Sequence, residues 1–161
     1  MGKYRKSLTV IVCILITLTV GFIFGNSIIS AESSNEMSNS IVDSIGNKIP
    51  LHSDVIENKT GFTIQYLARK FAHYAEFFAL GAELLILKVL LPAKSKGKSI
   101  FMPLFICLFT AVTDEFIQKL CNRTSLVPDV VLDFSGSVCG MLAAFLIVSL
   151  VCLMAKKKQK Q

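Results

Sequence analysis

The sequence predicts an all-α integral membrane bundle of four transmembrane helices with both termini cytoplasmic. Three observations lead there. Hydrophobic residues fill 53% of the 161 positions and charged residues only 17%, and the mean hydropathy of +0.61 is too high for an ordinary soluble domain. Four apolar runs approach the roughly 20 residues that a bilayer crossing takes. Lysine clusters are confined to the two chain ends and one short connection, which the positive-inside rule assigns to the cytoplasm.

The basic balance, +6 net charge with an isoelectric point near 9.1, does not point to nucleic acid. The lysines gather at the ends of apolar runs, and the aromatic–basic interleaving of an RNA or DNA binder is missing, so no nucleic-acid partner is expected. The five cysteines form no disulfide framework. Cys13, Cys107, Cys139 and Cys152 lie in apolar runs, where a thiol behaves as a small hydrophobe, and Cys121 stands alone in a loop.

Residues 1–24 form the first membrane segment. Lys3, Arg5 and Lys6 precede an apolar run over 8–24, just sufficient to span with help from flanking residues. A secretory signal peptide cleaved near Ala31 is the rival reading. The run exceeds a usual signal core and Ile29 is a poor residue for the small-x-small site, so an uncleaved helix is expected. Residues 25–64 are polar and expected outside. Met37, Ile41 and Ile45 recur every four residues, compatible either with a short amphipathic helix on the membrane surface or with a flexible tether. Pro50 and Gly61 bracket irregular structure, and nothing is expected of His52.

Residues 65–155 hold the three remaining spans. The second runs over 65–91 and stops at Pro92, with Lys88 able to snorkel to the near interface. The basic loop 94–98 follows. The third, over 100–117, is apolar until Thr113, Asp114 and Glu115. Pro103 falls near its start, where a missing backbone donor is tolerated. Residues 119–127 form a loop that contains Arg123. The fourth begins at Pro128 and Asp129 and runs to Met154, followed by a basic tail over 156–161. No internal repeat suggests a transporter of duplicated halves.

Everything turns on ionisable residues inside these apolar runs, which are costly in a bilayer and therefore face protein or water. At about 100° per residue, Arg69, His73 and Glu76 project from one side of the second helix, with Glu83 further along it. Asp114, Glu115 and Gln118 lie at the outer end of the third helix, and Asp129 and Asp133 share a face at the outer start of the fourth. All of them meet at one level. Below the aspartates, Gly136, Gly140 and Ala144 repeat at i, i+4, a spacing that lets helices approach closely in lipid. Gly81, Phe71, Phe77 and Phe78 read as packing residues, and Glu83 as the partner of a neighbouring hydroxyl or amide.

Four separated elements resemble the VanZ-like membrane proteins: Arg69-Lys70-Phe71-Ala72-His73-Tyr74-Ala75-Glu76-Phe77, then Asp114-Glu115-Phe116-Ile117-Gln118, then Arg123, then Asp129 to Gly136. They occur in the family's order and cover roughly residues 64–150. The family often carries Asn at the position of Asp133. The resemblance implies a link to resistance against glycopeptides, teicoplanin in particular, and a distant relationship to membrane enzymes that act on lipid headgroups.

The expected activity is hydrolysis or exchange of a phosphoester on a lipid headgroup or a lipid-linked wall precursor. Candidate catalytic residues are His73, Glu76, Asp114, Glu115 and Asp129. Histidine is suited to proton transfer near neutral pH, but it could equally hold helices together through a carboxylate. Arg69, Lys70, Gln118, Arg123 and Asp133 are the candidate substrate-binding residues, since cations with several donors match phosphate oxygens. No motif demands a cofactor. The carboxylates could take a divalent cation through oxygen, or simply neutralise Arg69, Lys70 and Arg123. The alternative function is a non-enzymatic accessory protein that limits access of lipophilic glycopeptides to their target.

Overall fold

The computed structural model describes residues 3–28, 64–91, 100–121 and 127–158. Four helices make up this part of the chain: α1 (Lys3–Ile28), α2 (Ile64–Leu90), α3 (Phe101–Leu120) and α4 (Val127–Lys158). No strand occurs among the described residues. The segment around Met37–Ile45, read as either a surface helix or a tether, lies outside them, as do His52, the basic loop 94–98 and Arg123.

α1, α3 and α4 are each long and apolar enough to cross a membrane. α2 has the length but carries Arg69, Lys70, Glu76, Glu83 and Lys88. Its place in the bundle offsets that charge, because it packs against all three other helices and shelters its polar face there. The outward faces are apolar. Val10, Leu18, Phe105, Phe109, Leu146 and Leu150 are all exposed, far more contiguous apolar surface than a soluble monomer tolerates. With the acids of its apolar runs turned inward and its outer face oily, the bundle is that of a membrane protein.

α2 and α4 share the most extensive interface and run parallel, position 74 meeting 136 and position 78 meeting 140. Glycine makes this contact. A Cβ at Gly136 would stand 2.7 Å from the Tyr74 carbonyl oxygen, and one at Gly140 or Gly81 would collide with the Phe78 or Ser137 carbonyl. The small-residue stripe of α4 thus finds its neighbour in α2, with Gly81 completing the contact from the other side. Ala144 is buried in the core beneath, with Phe77, Leu80, Leu84, Cys107, Ala111, Met141 and Ile23. Phe71 and Phe78 do not join Phe77: Phe71 is 72% exposed. Positions 71 and 78, two helical turns apart, point about 100° or more away from the buried row of 77, 80 and 84, and Phe78, 36% exposed, meets α4 through its backbone.

α1 runs antiparallel to α2. Thr19 donates to Glu83 Oε1 at 3.0 Å and Asn26 to Glu76 Oε1 at 2.8 Å, so two positions one heptad apart on α1 meet two one heptad apart on α2. Glu83 therefore has the hydroxyl partner that its depth demands. At the far end, Arg5 donates to the carbonyls of Leu90 (2.7 Å), Leu91 (3.1 Å) and Val89 (3.3 Å). These are among the carbonyls that a helix end leaves without intrahelical partners, and the guanidinium also opposes the negative end of the α2 dipole. All five cysteines are free.

Glycine-to-alanine changes in an exposed helix interior gain about 1 kcal/mol of intrinsic propensity. At Gly140 the sign reverses, because the obstacle is backbone. Gly140→Ala is expected to cost about 1–3 kcal/mol, while Gly21→Ala, with nothing within 4 Å of the added carbon, is neutral or stabilising. Unfolding midpoints in mixed detergent micelles compare the two.

Candidate functional site

The inward side of α2 begins the site. His73 is buried at 8% exposure, and its Nδ1 lies 3.5 Å from Glu76 Oε2 on the next turn. That is ion-pair range without hydrogen-bond geometry, and neither atom has another hydrogen-bond partner. The other oxygen of Glu76 is the one that Asn26 of α1 holds. One position after Arg69, Lys70 makes an ion pair with Asp129 at the start of α4. Arg69 is half-buried beside it in sequence.

α3 contributes Asp114, Glu115 and Gln118, all buried. Asp114 has no solvent exposure and is held from two directions. The Ser27 hydroxyl of α1 donates to Oδ1, and Gln118 Nε2, one turn on, donates to Oδ2 at 2.7 Å. The same amide approaches Ser27 Oγ at 3.5 Å, so the last turn of α1 and the C-terminal half of α3 close into one small network. A buried carboxylate needs such donors, because no water takes their place.

Asp133 of α4, 2% exposed, completes the centre. Asp114, Glu115 and Asp133 each offer a carboxylate oxygen, and these oxygens lie within 4.8 Å of one another. Three carboxylates so close repel strongly in a medium of low dielectric unless donors, a shared proton or a cation offset them. Their donor set is all oxygen, which suits a hard divalent cation. His73 lies within electrostatic reach of both Asp114 and Asp133, and Lys70 within reach of Asp133.

Of the residues that the sequence singles out, His73, Glu76, Asp114, Glu115, Gln118 and Asp133 therefore converge between α2, α3 and α4. Asp129 and Asp133 share a buried face of α4 as expected but divide their work, Asp129 meeting Lys70 and Asp133 meeting the α3 acids. Arg123 lies outside the described residues. Two members of the site come from a segment read as the start of a polar loop. Residues 25–28 continue α1 instead, and Asn26 and Ser27 sit on its last turn. The signal was present in the period: Val12, Ile23 and Ser27 are buried with Ile16 and Val20 packed on the core between them, an inward stripe that runs through Gly25 without a break.

The family model described as VanZ/LLP1 matches residues 11–149. The chain belongs to the VanZ/LLP1 family. The match takes in most of α1 as well as the three helices that carry the charged residues, so the helix that supplies Asn26 and Ser27 lies within the family's extent. No curated protein and no solved structure matches the chain.

Ser27→Ala removes a donor from the fully buried Asp114. A lost hydrogen bond to a charged group costs about 1.5–3 kcal/mol, and that destabilisation is expected in mixed-micelle unfolding. Gln118→Leu acts on the same carboxylate. The double variant is therefore expected to differ from the sum of the two singles by at least about 0.5 kcal/mol, and strict additivity would show that the two donors are independent.

Proposed function

We propose that this VanZ/LLP1-family protein hydrolyses or exchanges a phosphoester on a lipid headgroup or a lipid-linked wall precursor, at the outer face of a cell membrane. The observation that carries the reading is the convergence of three buried carboxylates, Asp114, Glu115 and Asp133, beside a buried histidine in a bundle whose exterior is apolar. Ionisable groups at such depth are functional candidates by default. The orientation rests on charge: lysines flank α1 and α4 at the ends remote from the site, and the parallel run of α2 and α4 suits a chain that crosses at every helix.

In this reading Arg69 and Arg123 hold the phosphate, since guanidinium presents paired donors to anionic oxygens. Lys70 adds a third charge that Asp129 positions. Gln118 keeps Asp114 oriented. His73 takes the proton of an attacking water or alcohol as that oxygen bonds to phosphorus. The ester P–O bond breaks, and a carboxyl group of the Asp114, Glu115 and Asp133 centre returns a proton to the leaving oxygen. Were a divalent cation to take the place of that proton, these three acids would hold it and it would supply Lewis-acid polarisation of the phosphoryl oxygen instead.

The closed network of Ser27, Asp114 and Gln118 favours a second reading. Polar groups satisfied by one another can serve as glue between helices, and the protein would then be a non-enzymatic accessory that limits access of lipophilic glycopeptides, teicoplanin among them, to their target.

Mass spectrometry of polar lipids and lipid-linked wall precursors separates the two. Cells expressing the protein at matched levels are compared with Glu115→Gln and His73→Ala cells. A species that appears or vanishes only with the unsubstituted protein is the expected result and identifies the substrate class. Identical profiles overturn the enzymatic reading, and direct glycopeptide binding then tests the other.

A further inference from the structure

Asn26 and Ser27 are consecutive on the last turn of α1, so their side chains leave the helix about 100° apart. One addresses α2 and the other α3: Asn26 reaches Glu76 and Ser27 reaches Asp114. The two contacts differ in consequence. Asp114 is engaged through both oxygens. At Glu76 the Asn26 amide takes Oε1 at 2.8 Å and leaves Oε2 facing His73 Nδ1 at 3.5 Å. Both side chains are nearly closed to solvent, 10% exposed for His73 and 12% for Glu76. The carboxylate is thus anchored by one oxygen and aimed by the other.

A carboxylate within ion-pair range of one ring nitrogen draws the proton of a neutral imidazole to that nitrogen by electrostatic attraction, even where the contact falls short of hydrogen-bond geometry. We infer that Asn26 is a positioning residue of the site: it fixes the Glu76 carboxylate, which holds the proton of His73 on Nδ1 and leaves Nε2 as the nitrogen that exchanges a proton with substrate. The part of this that concerns substrate rests on the phosphoester reading above; the part that concerns the ring does not. The same interface contains its own control. One heptad away, Thr19 donates to Glu83 with the same α1-to-α2 geometry and no histidine beside it.

The chain has two histidines, so His52→Gln leaves His73 as the only imidazole. The full-length protein, labelled with ¹⁵N-histidine and reconstituted into phospholipid bilayers, gives ring ¹⁵N shifts in solid-state NMR that report the proton on each nitrogen. Nδ1 is expected to be protonated in the His52→Gln background. Adding Asn26→Ala is expected to lower the Nδ1-protonated fraction at least threefold, Asn26→Gln to restore at least half of that loss, and Thr19→Ala to leave the spectrum unchanged. If Asn26→Ala fails to accumulate, Asn26→Ser removes the amide with a smaller disturbance and carries the same expectation. An unprotonated Nδ1 in the His52→Gln background, an unchanged ring after loss of the amide, or an equal shift from Thr19→Ala overturns the inference. None of these readings depends on a substrate. A failure here therefore leaves the lipid comparison standing, and unchanged lipid profiles leave the Asn26–Glu76–His73 geometry standing.

Discussion

A carboxylate inside an apolar bundle has no solvent to fall back on, and the arrangement of this molecule follows from that constraint. Each acidic group of the described interior meets a group from another helix. Glu83 takes a hydroxyl from α1, Glu76 an amide from α1, Asp114 a hydroxyl from α1, and Asp129 an ammonium from α2. Asp133 joins the acids of α3. The helices are tied pairwise by these contacts, so the polar centre and the tertiary structure are one system. α2 is the extreme case. It carries too much charge to stand alone in lipid, and it packs against all three other helices, most extensively against α4.

The same constraint separates contacts that hold the fold from those that remain open to chemistry. The Thr19–Glu83 hydrogen bond, the Ser27 and Gln118 donors on Asp114, and the cap that Arg5 places on the end of α2 hold the fold. His73 with Glu76, and the three-carboxylate centre, are not closed in that way: Nδ1 and Oε2 face each other beyond hydrogen-bond geometry, and like charges are gathered instead of dispersed. Groups held close but not fully satisfied are where binding a ligand changes most, and the functional reading therefore rests on them.

Much of this was legible in the sequence because charge in an apolar run is conspicuous. His73, Glu76, Asp114, Glu115, Asp129 and Asp133 stand out against their neighbours, and helical spacing alone puts them on inward faces. The stripe of Gly136 and Gly140 declared a close helix contact, and the depth of Glu83 called for a neutral donor. Pairings were not legible, since spacing along one helix does not say which residue of another it meets. Asp129 and Asp133 look equivalent by period and differ only because Lys70 meets the first. Asn26 and Ser27 were hidden for another reason. Gly25 and the polar residues after Ile28 resemble the exit from a membrane helix, and small uncharged side chains leave no mark of burial. The helix continues because Ile23 and Ser27 both have an interior to enter.

The glycine contact between α2 and α4 has a consequence for the membrane itself. Where Gly81 meets the Ser137 carbonyl and Gly140 meets that of Phe78, backbone touches backbone with no side chain between. No file of water fits through such a seam, and it lies directly beneath the aspartates. A buried acidic cluster set into a bilayer is a potential route for proton leakage, and this backbone seam closes the α2–α4 side of the path beneath it.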